Sequence, residues 1–153
     1  MRENCIAKGD YFMAVKKVND EVMVVDVSKF FSIDNEEAGK WFQPKVKGRE
    51  SGIEFKVCGP NSNIQSIADD KFNKEKEEID LIENQVEKET RYKEALAKRV
   101  AAYCTDIRAA NGAKLEIKGH EVSKSDIYEI FKNAPVLTLE VMRFASRQEN
   151  FLD

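Results

Sequence analysis

The sequence lacks most of what marks an enzyme. It holds one histidine, His120, and three widely separated cysteines, Cys5, Cys58 and Cys104. There is no glycine-rich phosphate loop, no CxxC pair, no histidine–carboxylate helix motif and no glycine-flanked serine. Acid–base catalysis therefore has few groups to draw on, and a non-catalytic chain with no cofactor is expected. A metal site built from Cys58, Cys104 and His120 is conceivable in space, but no local ligand spacing supports it. An odd cysteine count without paired spacing gives no disulfide framework. No apolar run approaches 18 residues, so no membrane span is expected. The start, Met1-Arg2-Glu3-Asn4, does not lead into a signal-peptide core, which points to the cytosol. Net charge is −3, without a basic cluster, and that argues against nucleic acid as a partner.

Proline and glycine are also missing from Asp69 to Ile107, the stretch around which the chain is organised. Ile79, Ile82 and Val86 step by three and four, and so do Leu96, Val100, Tyr103 and Ile107. This is the stripe of an amphipathic helix with charge on its other faces. Continuous, it would be a rod of roughly 55–60 Å. The stripe fails at Glu89 to Lys93, and Thr90 resembles an N-cap, which predicts a bend or break near Thr90. Asp69 to Val86 is then the exposed arm, and Tyr92 to Ile107 a buried helix.

The first third reads as β-structure. Tyr11 to Val18 and Glu21 to Val27 flank Asn19-Asp20 and predict a hairpin whose second strand is covered on at least one face. Asp34 to Glu37 suits a short helical turn, and the sole tryptophan, Trp41, suits a core anchor. Lys45 to Ser51 is a polar loop. Gly52 to Cys58 alternates cleanly, with Ile53, Phe55 and Val57 inward. Ser62 or Asn63 caps the charged helix.

Asn111-Gly112 closes the long helix, and Leu115 to Ile117 is a short strand ending at Gly119. Ser123 to Asp126 resembles a capping box opening a helix through Ile127 and Phe131. Pro135 starts the last helix. The fold class is α+β, mostly helical, with a small antiparallel sheet from the N-terminal half and a long charged helix or helical hairpin. One domain spans 1–153: a β-rich part to residue 62, a charged helical region over 63–110 and a C-terminal helical pair over 111–153.

Several stretches together resemble one family. They are Glu37-Ala38-Gly39-Lys40-Trp41-Phe42, Gly52 to Gly59, Asp106 to Gly112, Ile127 to Phe131, Ala134-Pro135-Val136-Leu137 and Arg143 to Phe151. Their order is similar to that of the tail assembly chaperones of long-tailed bacteriophages. The resemblance covers about residues 34–152 and leaves the N-terminal hairpin as an addition. It implies a protein that coats the helical tape measure protein, keeps it soluble until the tail tube forms, acts in the host cytoplasm and is absent from the virion. The resemblance also implies the tail tube protein as a partner of a longer, frameshifted form, and a homo-oligomer is left open by the sequence. A tape measure needs an adaptable apolar groove, for which Phe131, Leu137, Val141, Met142, Phe144 and Phe151 are the candidates. Leu137, Val141 and Phe144 also suit ordinary core, whereas Met142 and Phe151 are expected to be exposed. The rival readings are a structural tail or connector component and a small inhibitor of a host protein.

Overall fold

The computed structural model describes residues 15–18 and 22–153. Its centre is a three-stranded antiparallel sheet of β3 (Lys40–Phe42), β6 (Ile53–Val57) and β7 (Cys104–Ala109), with β6 in the middle. Phe42, Phe55 and Ile107 stand opposite one another across the three strands. Alternation sends these side chains to one face. That face is covered by the helices α3 (Gln85–Tyr103), α4 (Ile127–Asn133) and α5 (Pro135–Ala145), and it forms the main core. The Phe55 and Phe131 rings meet there at 4.9 Å. The strand Ile53–Val57 is the alternating segment anticipated from its sequence, with Phe55 and Val57 fully buried.

The charged region is a helical hairpin, and its break is not at Thr90. Helix α2 (Asn63–Asp80) ends at Leu81, and α3 begins after Asn84. The Asn84 side chain accepts from the Glu87 amide at 3.0 Å, so Asn84 is the cap. Thr90 lies inside unbroken helix, its hydroxyl donating to the Val86 carbonyl at 2.9 Å. The stripe fails at Glu89 to Lys93 for a different reason. There α3 faces α2 alone, and the contact is made by Tyr92 edge-on to Phe72 and by small Ala95 beside Ile79. Asp69 locks the pair further down. One of its carboxylate oxygens accepts from Arg99 Nε at 2.8 Å and from the Tyr103 hydroxyl. The Arg99 guanidinium lies 4.7 Å from the centre of the Phe72 ring. Burial and the Asp69 hydrogen bond both raise the Tyr103 pKa.

Helix α3 also ends earlier than the stripe suggested. Cys104 has extended backbone, and Cys104–Ala109 is an edge strand beside β6, not helix. Asn111-Gly112 therefore closes a strand, with Asn111 at φ 60°. Lys45 to Ser51 is not plain loop. It contains β4 (Lys45–Val46) and β5 (Arg49–Glu50) joined by Lys47-Gly48. The same two-residue device recurs in β8 (Glu116–Ile117) and β9 (His120–Glu121), joined by Lys118-Gly119. Both residues of each turn have positive φ, the conformation that closes a tight hairpin with the right twist.

Four local expectations hold. Ser62 caps α2 by accepting from the Gln65 amide, and Ser123 forms a capping box with Asp126. Pro135 opens α5, and Ile33–Ala38 forms a short helix, α1. Glu36 on α1 is fully buried and knits three regions together. It accepts from Ser32 Oγ and from the Asn61 amide, both at 2.7 Å, and Ser32 accepts from Gln148 at 3.0 Å.

The N-terminal hairpin is present as β1 (Val15–Val18) paired with β2 (Val22–Val25). Its expected Asn19-Asp20 turn lies outside the described residues. The second strand is not covered as anticipated, for Val22, Val24 and Val25 are exposed.

Candidate functional site

Four of the six residues nominated for partner binding are interior. Phe131, Val141 and Phe151 are at most 1% exposed, and Leu137 is 7% exposed. Phe151 thus corrects the expectation that it would be exposed. The turn Gln148–Phe151 folds back, and Asn35 fixes it by donating to the Phe151 carbonyl at 2.8 Å. Its ring rests 5.3 Å from that of Phe144. Met142 is only half-exposed and packs on the main core. Phe144 stacks on Phe42 at 4.3 Å and lines a shallow hollow of about 260 Å³. Four of the six side chains are therefore interior, Met142 and Phe144 lie at its edge, and the six do not line one groove.

A real groove lies at the other end of the sheet. It is a cleft of about 590 Å³ between the end of the sheet, the β8–β9 hairpin and α4. Its floor is Ile53 and Ile107 from the sheet, Leu115, Ile117 and Val122 from the hairpin, and Ile130 from α4. All but Ile107 are half-buried, so the cleft presents apolar surface to solvent. Each position follows from local chemistry. The Lys118-Gly119 turn folds the hairpin, and the Val122 amide donates to the Leu115 carbonyl at 3.0 Å to close it. The capping box then starts the chain into α4, with the Ser123 amide donating to Asp126 at 2.8 Å. Helical geometry puts Phe131 into the core and its neighbour Ile130 into the cleft.

The rim is polar and weighted towards acid. Glu116, Asp126 and Glu129 face Lys118, with His120 3.9 Å from Asp126. The titratable side chains of the cleft, Glu116, Lys118, His120, Asp126 and Glu129, are exposed or half-buried, and its floor is aliphatic, a surface that can hold an apolar segment. Filling it would remove apolar surface from water at about 25 cal/mol per Å².

The remaining candidates do not converge. Cys58 and Cys104 are buried near each other, whereas His120 is on the exposed β8–β9 hairpin. Burial, then repulsion from Cys58, raises the Cys104 pKa, and burial followed by Glu37 raises that of Cys58. Such thiols are weak nucleophiles and poor ligands. No group of three or more His, Cys, Asp or Glu could hold a metal ion among the described residues. Trp41 is not the core anchor expected of it. It lies on the face of the sheet opposite Phe42, half-buried, with the Arg108 guanidinium 3.8 Å above its ring and Glu54 accepting from Arg108 at 2.7 Å. Among the described residues, no helix is long and apolar enough to cross a membrane. No protein-family model, curated protein or solved structure matches the chain.

Proposed function

We propose that the protein is a non-catalytic assembly chaperone of the phage-tail kind. In this reading its cleft receives the apolar face of a helical segment of a tape measure protein and keeps that partner soluble while the tail tube forms. The observation that carries the reading is the open apolar cleft above Ile53, Ile107 and Ile130. Its volume falls within the roughly 300–1,000 Å³ of ordinary binding clefts. Its walls are a sheet end, a closed hairpin and a capped helix, so the site is largely preformed and little ordering entropy opposes binding. A cleft with an aliphatic floor suits a helix whose apolar anchors recur every three or four residues. Three carboxylates against one lysine on the rim favour a helix with basic residues beside its apolar stripe. The sequence resemblance supplies the identity of that helix.

Co-expression with a tape measure protein tests this directly. The wild-type chain should raise the soluble fraction of the tape measure at least about fivefold. Replacing Ile130 with lysine puts a charge on the cleft floor and should abolish most of that gain, because burying an unpaired charge costs several kcal/mol. The variant should still fold, since Ile130 is half-exposed. A tape measure that remains insoluble with the wild-type chain in excess rules out the chaperone reading. Undiminished solubility with Ile130→Lys moves the binding surface elsewhere.

A further inference from the structure

The wall of the cleft with the weakest internal support is the β8–β9 hairpin. Its strands are two residues each, and Glu116 stands directly opposite Glu121. Like charges directly opposite destabilise such a pair, and a two-stranded hairpin is marginal in water. Alternation puts Leu115, Ile117, His120 and Val122 on the cleft face of the hairpin and both glutamates on the other. His120 is therefore the polar member of an otherwise aliphatic row. We propose that His120 is a proton-operated latch on this wall. Charged, it pairs with Asp126 and fastens the hairpin to the start of α4; neutral, it releases it.

Three observations carry this. The first is position. His120 Nε2 lies 3.9 Å from Asp126 Oδ1, and among the described residues no other ion pair joins the hairpin to the rest of the chain. The second is the anchor. Asp126 is held independently of the hairpin, because its Oδ2 accepts from the Ser123 amide at 2.8 Å in the capping box. Its Oδ1 is the oxygen turned to His120. The third is the surroundings. The charged residues on the elements around the imidazole are Glu116, Lys118 and Glu121 on the hairpin, Lys124 and Asp126 in the turn before α4, and Glu129 on α4. The sheet contributes Ile53 and Ile107, which carry no charge. Carboxylates and lysines in general keep their charge between about pH 5.5 and 7.5, whereas a histidine changes its own. His120 is the only histidine of the chain, so a pH effect on the hairpin in this window reads its protonation. The latch is engaged below about pH 6 and released above about pH 7. An exposed ion pair contributes little, so the change in hairpin opening is about two- to fivefold.

The latch does not rest on the chaperone reading, and its test involves no tape measure. The Val122 amide donates to the Leu115 carbonyl at 3.0 Å and reports opening of the hairpin. Its solvent exchange is measured by NMR on the full chain and divided by the rate of an unstructured chain at the same pH. In the wild type, protection should be about two- to fivefold greater at about pH 5.5 than at about pH 7.5. His120→Gln keeps a polar side chain without the charge and should give the lower protection at both pH values. His120→Lys carries a permanent charge and should give the higher protection at both. His120 is exposed, so both variants keep the fold. Equal protection at the two pH values in the wild type overturns the proposal. So does a pH difference that persists in His120→Gln, or a His120→Lys variant with the lower protection throughout.

Discussion

Alanine in place of Gly59 should leave the protein unable to hold its fold. A Cβ at this position would lie 2.2 Å from Glu36 Cγ and 2.6 Å from Glu36 Cβ. The neighbour cannot swing aside. Its carboxylate is held by Ser32 and the Asn61 amide, and its carbonyl accepts from the Gly59 amide at 3.0 Å. Relief would need the α1 backbone to part from the end of β6, stranding a fully buried carboxylate. Overpacking costs about 1–3 kcal/mol, and breaking the partners of a buried charge about 3–5 kcal/mol. Together they approach the whole stability of a domain, about 5–15 kcal/mol. Gly59→Ala should accumulate as insoluble chain, or melt far below wild type. Gly52→Ala is the comparison. Gly52 has positive φ but nothing within 4 Å of a Cβ, so about 1–2 kcal/mol of backbone strain is the whole cost. Equal melting temperatures for the two variants would refute the role given to Glu36.

Truncation of Phe131 should be the second large loss, and it should be a loss of stability. Phe131 is 1% exposed and packs on Phe55 at the centre of the core. Phe→Ala at such a site costs about 3–5 kcal/mol, cavity included. At roughly 2–4 °C per kcal/mol for a chain of this size, the melting temperature should fall by about 6–20 °C. Well below that temperature, partner binding should remain. Ile130→Lys, one residue away, should do the reverse. A Phe131→Ala variant that melts like the wild type but loses its partner would place the ring on the binding surface after all.

That adjacent pair shows where sequence stops being informative. Features carried by neighbouring residues were legible. The alternation of Ile53, Phe55 and Val57, the capping box of Ser123 and Asp126, the Ser62 cap and Pro135 at a helix start all act within a few positions, and all are present. Features set by distant contacts are not legible in this way. Cys104–Ala109 continues a helical stripe, yet β6 needs a second neighbour, and sheet pairing overrides the helical period. The gap at Glu89 to Lys93 looked like a break because Tyr92 and Ala95 face another helix rather than the main core. Side-chain size does not mark the cleft. Phe131 and Phe151 are large and apolar, and the core claims them, whereas the cleft is made of ordinary Ile, Leu and Val brought together from 53 to 130. The Lys118-Gly119 turn was the one local signal for it, because folding that hairpin builds a wall of the cleft. Trp41 stands outside the core because its neighbour Phe42 points in, and alternation allows only one of them to do so.

The most direct measurement of the central claim is amide hydrogen exchange on the chain with and without a tape measure segment. Binding in the cleft predicts slowed exchange at residues 115–122 and along 127–134, with the tip of the helical hairpin at 81–86 unchanged. Slowed exchange confined to other surfaces, with 115–122 and 127–134 exchanging as in the free protein, would contradict it.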